Sequence, residues 1–151
     1  MVLVRIFLLR GFMLSRLANI LGKTISDADV IQLEQDFGEK LEVSMNQEDA
    51  ICKITLLVDS RIAKELLDEI LTSLEQEKTK ESINKVLGVP TYSLNFPDPS
   101  KKEIMFFYDK TQFWLVFKFK ENHIESIFIM PPSIIPEVIK TGRSPMRICR
   151  S

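Results

Sequence analysis

The chain has 151 residues, enough for one domain or at most two small halves sharing a core, and its 45% hydrophobic and 27% charged residues are ordinary globular proportions. The net charge of -1 hides an uneven layout: residues 24–81 hold fifteen acids against six bases, while residues 1–23 and 140–151 hold four bases each and no acid. An acidic middle disfavours nucleic acid and favours a basic partner, and no stretch approaches the roughly 20 apolar residues of a membrane span.

The first segment, Met1–Arg10, is apolar and basic, but Arg5 and Arg10 confine its apolar run to four residues, short of the roughly 7–15 of a signal-peptide core. A transit peptide stays open, because the segment is Arg-bearing and free of acids. The preferred expectation is that residues 1–12 are a misannotated extension ahead of a start at Met13. A single α+β domain would then span 13–140, and 141–151 would be a disordered basic tail.

Leu14, Leu17, Ala18 and Leu21 stand at helical spacing, with Gly22 as the stop. Ser26 is placed to cap a second helix whose apolar face is Val30, Leu33 and Phe37 and whose end is Gly38. Strands are expected over Lys40–Ser44 and Ala50–Val58, with Cys52, Ile54, Leu56 and Val58 on one face. Asp59 or Ser60 caps the strongest helix, Arg61–Gln76. Its stripe of Ile62, Leu66, Ile70 and Leu74 reads as core packing rather than a coiled coil.

Thr79 opens a short helix, with Ile83, Val86 and Leu87 inward, Gly88 as its stop and Pro90 barring continuation. Tyr92–Phe96 is an edge-strand candidate, followed by strands over Glu103–Tyr108, Gln112–Lys120 and His123–Met130. In the longest of these, Phe113, Leu115, Phe117 and Phe119 share one face, and Trp114, Val116, Lys118 and Lys120 the other. Glu121-Asn122 is the expected hairpin tip. A short turn near Glu137–Lys140 follows Pro131-Pro132. This order predicts an α+β fold, with N-terminal helices and a long central helix packed on an antiparallel β-meander.

The search for chemistry finds no reactive set. One histidine, His123, and two distant cysteines give no zinc spacing, and the carboxylates Asp27, Asp29, Asp68 and Glu69 lack a calcium loop. No Gly-x-Ser-x-Gly elbow is present, and the five glycines are dispersed. No catalytic residue, cofactor or metal ligand is expected. Cys52 reads as a small core residue and Cys149 as a tail residue, a usage that fits a reducing compartment.

Two stretches carry a resemblance. Ile83-Asn84-Lys85-Val86-Leu87-Gly88-Val89-Pro90-Thr91, with the aromatic strand and the return Ile124–Ile129, resembles the tandem-repeat proteins built like the β-lactamase inhibitor protein and the related outer-membrane assembly lipoproteins. Ile20-Leu21-Gly22-Lys23 with Ser26-Asp27-Ala28-Asp29-Val30 is similar to the opening of predicted bacterial toxin-immunity proteins. The resemblance implies a binding protein without catalytic residues; with the acidic middle and the absent catalytic set, the expectation is a cytoplasmic bacterial immunity-type inhibitor that neutralises a basic toxin. The alternative is a structural or adaptor domain, homodimeric through the sheet. The candidate contacts are Glu65, Asp68 and Glu69 on the long helix and Trp114, Lys118 and Lys120 on the sheet. Nucleic acid and membrane are not expected partners, and the chain is expected to be a monomer or homodimer.

Overall fold

A computed structural model describes residues 12–71, 77–95, 100 and 102–133. The extension at 1–12 and the tail at 141–151 therefore fall outside the described residues, apart from the backbone of Phe12. So do the expected turn near Glu137–Lys140 and the last residues of the expected long helix.

Four helices and six strands are present among the described residues. Helices α1 (Phe12–Asn19) and α2 (Ala28–Phe37) come first, followed by strands β1 (Glu42–Met45) and β2 (Ile51–Leu57). Helices α3 (Arg61–Ile70) and α4 (Lys80–Leu87) precede β3 (Tyr92–Asn95), β4 (Glu103–Asp109), β5 (Trp114–Lys120) and β6 (His123–Met130). All strand pairs are antiparallel, and the spatial order is β1-β2-β6-β5-β4-β3. The class is α+β. Strands β3 to β6 are neighbours in chain order, but β6 then returns beside β2, so the six strands are not one simple meander.

Local chemistry explains most element ends. Asp27, one residue after the expected Ser26, caps α2 by accepting from the Asp29 amide at 2.9 Å. Gly38 closes α2 at φ +62°, in the left-handed region. Ser60 caps α3 by accepting from the Ala63 amide, and Thr79 caps α4 by accepting from the Ser82 amide. Glu121 and Asn122 both take positive φ, as a two-residue hairpin tip demands. The expected long helix is shorter: its described part is ten residues, with Leu71 as C-cap at φ -91°, ψ 94°.

The main core lies between the helices and one face of the sheet. Leu17, Leu33, Ile54, Leu66, Leu115, Phe117, Phe119 and Ile129 are each fully buried in it. Helix α3 faces it with Ile62, Ala63, Leu66 and Leu67, the spacing of a single apolar stripe. A second cluster occupies the opposite face of the sheet: Cys52, Met105, Phe107, Trp114, Val116, Phe128 and Met130, with Leu94 packed beside it.

Cys52 does not share a face with Ile54 and Leu56. On β1, Ser44 stands opposite Lys53 and Met45 opposite Ile51, so Cys52 is the extra residue of a β-bulge. A bulge shifts the side-chain alternation by one, and Cys52 is turned into the second cluster. Nor is it a free core thiol: Cys52 is disulfide-bonded. The one other cysteine in the sequence, Cys149, lies outside the described residues.

The corner Leu87-Gly88-Val89-Pro90-Thr91 is locked to β4. Gly88 takes φ +82°, ψ -169°, a conformation that side chains oppose, and its carbonyl accepts from the Tyr108 hydroxyl at 2.9 Å. Thr91 Oγ1 accepts from the Asp109 amide at 3.1 Å. Burial pushes the Tyr108 phenol up to about 12, from an ordinary value near 10. The folded chain therefore keeps this proton where the unfolded chain releases it, so Tyr108 stabilises fully below pH 10 and progressively less as pH rises toward 12. Denaturation midpoints measured from pH 9 upward are expected to fall less steeply in Tyr108→Phe than in the wild type. Burial depresses the Lys53 amine, which acts with the opposite sign but is common to both chains and cancels. Parallel slopes would count against the Tyr108 assignment.

Candidate functional site

The six expected contact residues are split between the two sides of the sheet. Glu65, Asp68 and Glu69 lie on α3, on the main-core side. Glu65 and Asp68 are exposed. Glu69 is not available as a free contact: its Oε1 accepts from the Met13 amide at 2.8 Å and its Oε2 from the Leu14 amide at 3.4 Å. It thus supplies from α3 the acceptors that the first turn of α1 lacks. Burial raises its carboxyl above the ordinary range, and these two backbone bonds oppose that shift.

Trp114, one of the expected contacts, is covered rather than presented to solvent. It is only 7% exposed, its indole N–H donates to the Pro132 carbonyl at 3.2 Å, and its ring meets Tyr92 at 5.7 Å. Lys118 is half-buried between Glu103 and Glu125, at 3.8 and 3.5 Å. Lys120 is exposed near the hairpin tip. Trp114 and Lys118 thus belong to the second face of the sheet, not to one surface shared with the acids of α3.

Much of the acidic middle is occupied in holding elements together. Asp36 pairs with Arg16 at 2.8 Å, and Asp29 with Lys23. Glu34 accepts from the Leu41 amide at 2.8 Å. Glu39 accepts from the Arg61 and Ile62 amides at 3.2 and 2.9 Å, at the positive end of α3. Lys23 holds the Asp29 carboxyl below the usual range, while Gln32 and then Arg16 do so for Asp36. Gln32 and Asp36 are an i,i+4 pair on α2, whereas the partners of Glu39 and Arg16 are set by the fold, and local spacing gave no signal of them.

The surface that sequence reasoning missed is the corner of α4 and β3. Val86, expected inward, is exposed, as are Tyr92 at 45% and Val89 at 84%. Tyr92 opens β3, which has no strand on its outer side among the described residues, and Val86 and Val89 precede it in the chain. Large apolar side chains beside unpaired backbone donors and acceptors form a docking edge for an added strand. A separate cleft of about 630 Å³ lies between α1, the β1–β2 turn, the start of β5 and the chain after β6, with Asn19, Asn46, Cys52, Gln112, Phe113 and Ser133 among its walls.

Among the described residues no group of three or more His, Cys, Asp or Glu side chains could hold a metal ion. His123 stands exposed beside the hairpin tip. No described helix is long and apolar enough to cross a membrane.

No family model matches the chain, and no curated protein does. Among solved structures, the fold is similar to that of a DUF4309 family protein (YjgB) from Bacillus subtilis, at a TM-score of 0.51 and 16% identity. That match covers 83% of this chain and 97% of the other. At this identity the likeness concerns the fold alone.

Proposed function

We propose that this chain is a non-catalytic protein-binding module that captures a partner along the α4–β3 corner. The carrying observation is the exposure of Tyr92 on the open-edge strand β3, with Val86 and Val89 exposed in the chain just before it. A partner strand added to β3 gains main-chain hydrogen bonds, and the three side chains give it an apolar seat. Glu65 and Asp68, exposed on α3, favour a basic partner through charge steering rather than through close contact. An immunity-type inhibitor of a basic toxin is the specific form of this reading.

The test is co-expression with the product of the adjacent gene, followed by affinity measurement on the purified pair. Val89→Lys and Tyr92→Lys are each expected to weaken the complex by about tenfold or more. The thermal stability of Val89→Lys should change little, because that side chain is already largely in water, whereas Tyr92→Lys also loses the ring contact with Trp114. Failure to form any complex, or binding unaffected by either substitution, would remove the proposal. A second reading, homodimerisation through an open edge, is favoured by β1 and β3 both ending the sheet. Light scattering showing a dimer that persists on dilution would support it.

A further inference from the structure

We propose that β3 pairs antiparallel with β3 of a second copy about a two-fold axis at Ser93, joining two six-stranded sheets into one. This dimer rests on the reading of β3 as a docking edge, and it names the occupant of that edge when no other partner is present. The faces of β3 set what an added strand must carry. Tyr92 meets Trp114 and Leu94 packs beside the second cluster, whereas Ser93 and Asn95 alternate with them and are exposed. An added strand must therefore alternate apolar and uncharged polar residues in step with its neighbour. β3 itself, Tyr92-Ser93-Leu94-Asn95, meets that requirement.

With the axis at Ser93, that residue faces its own copy, and Tyr92 faces Leu94 of the second copy on one face of the joined sheet. Within one chain Tyr92 already stands opposite Phe107, Phe107 opposite Val116, and Leu94 opposite Met105. The apolar row Val116–Phe107–Tyr92 thus continues across the axis into Leu94 and Met105 of the second copy. Tyr92, 45% exposed in the single chain, gains cover there.

Charge decides between the two edges of the sheet. Residues 86–97 are the longest run without Asp, Glu, Lys or Arg in the sequence, although edge strands are commonly guarded by charge. No like charges meet when β3 pairs with itself. β1, at the other edge, carries exposed Glu42, and exposed Glu48 and Asp49 follow it. Two copies joined at β1 would gather these acids, so the assembly closes at two, with the acidic edges outermost. A four-residue edge is short beside interfaces that bury roughly 1,200 Å² or more, so the dimer forms reversibly. Self-pairing and strand capture then exclude each other, and apparent affinity for a partner falls as the concentration of the chain rises.

The test uses the full chain. Light scattering is expected to show a monomer at about 1 µM and mostly dimer at about 1 mM. A monomer throughout overturns the proposal. Ser93→Lys sets two ammonium groups on the axis and Ser93→Asp two carboxylates, so each alone should weaken the dimer by about tenfold or more. Mixed in equal amounts, the two variants should pair again, because their charges then attract. A variant that dimerises as strongly as the wild type, or a mixture that stays monomeric, would overturn the pairing at Ser93. Hydrogen exchange of the wild type keeps the test open if a variant does not fold. The β3 amides that point away from β4 should exchange more slowly in the concentrated sample, and equal exchange would count against the dimer. A chain that dimerises but captures no strand would sink the capture reading alone, and capture by a strictly monomeric chain would sink the dimer alone.

Discussion

Phe117→Ala is expected to destabilise the fold by about 3–5 kcal/mol, the range for emptying a fully buried aromatic site. Phe117 is 0% exposed, lies edge-on to Tyr108 at 6.0 Å and is stacked against Phe119 at 6.3 Å. Its strand is paired on both sides, with Phe106 opposite it on β4 and Ile127 on β6. Backbone held by two ladders cannot move inward to close the void, so the cavity cost adds to the lost burial. Against a typical total of about 5–15 kcal/mol, this is a large fraction of the protein's stability. Urea denaturation should show a lower midpoint at constant slope. A loss below about 1 kcal/mol would mean that the ring is not locked as described.

Leu66→Ala is expected to cost about 3 kcal/mol, within the range for buried leucines. Here the void faces a helix, and a helix can slide into it. What resists is the pinning of α3: Glu39 and Ser60 hold its N-terminal amides, and Glu69 clasps the first turn of α1. If pinning keeps the cavity open, releasing it should relieve part of the penalty. Leu66→Ala in a Glu39→Ala background is therefore expected to cost less than in the wild type, a coupling of roughly 0.5–1 kcal/mol. Strict additivity in a double-mutant cycle would show that α3 relaxes freely even when capped.

The features legible in the sequence are those decided within a few residues. Ser60, Thr79, Gly38, Gly88 and the Glu121-Asn122 tip act on their immediate neighbours, so their roles follow from residue type and spacing. The alternation along β5 was readable for the same reason. Cys52 was misplaced because one bulge reverses the parity of every inference drawn across it. The tasks of Glu39 and Glu69 were hidden because their acceptors serve helices 22 and 56 residues away. Whether Trp114 is covered was not legible, because alternation assigns a side chain to a face without saying whether that face is covered. Val86 was misread because α4 buries only Ile83 fully, a narrower stripe than its spacing suggested.

The pairing of β2 with β6 carries a consequence for how the chain folds. Ile54 and Ile129 face each other across that seam, and Leu56 faces Ile127. Everything else in the sheet joins strands linked by short connections, so β1–β2 and β3–β6 can each form early from local contacts. The paired residues of this seam stand 69 to 75 positions apart, so closing it loops out a long stretch of chain, and topologies dominated by such closures fold slowly. The β2–β6 ladder is therefore the expected late step. Hydrogen-exchange pulses during refolding should find the amides of β5 protected before those between Thr55 and Phe128.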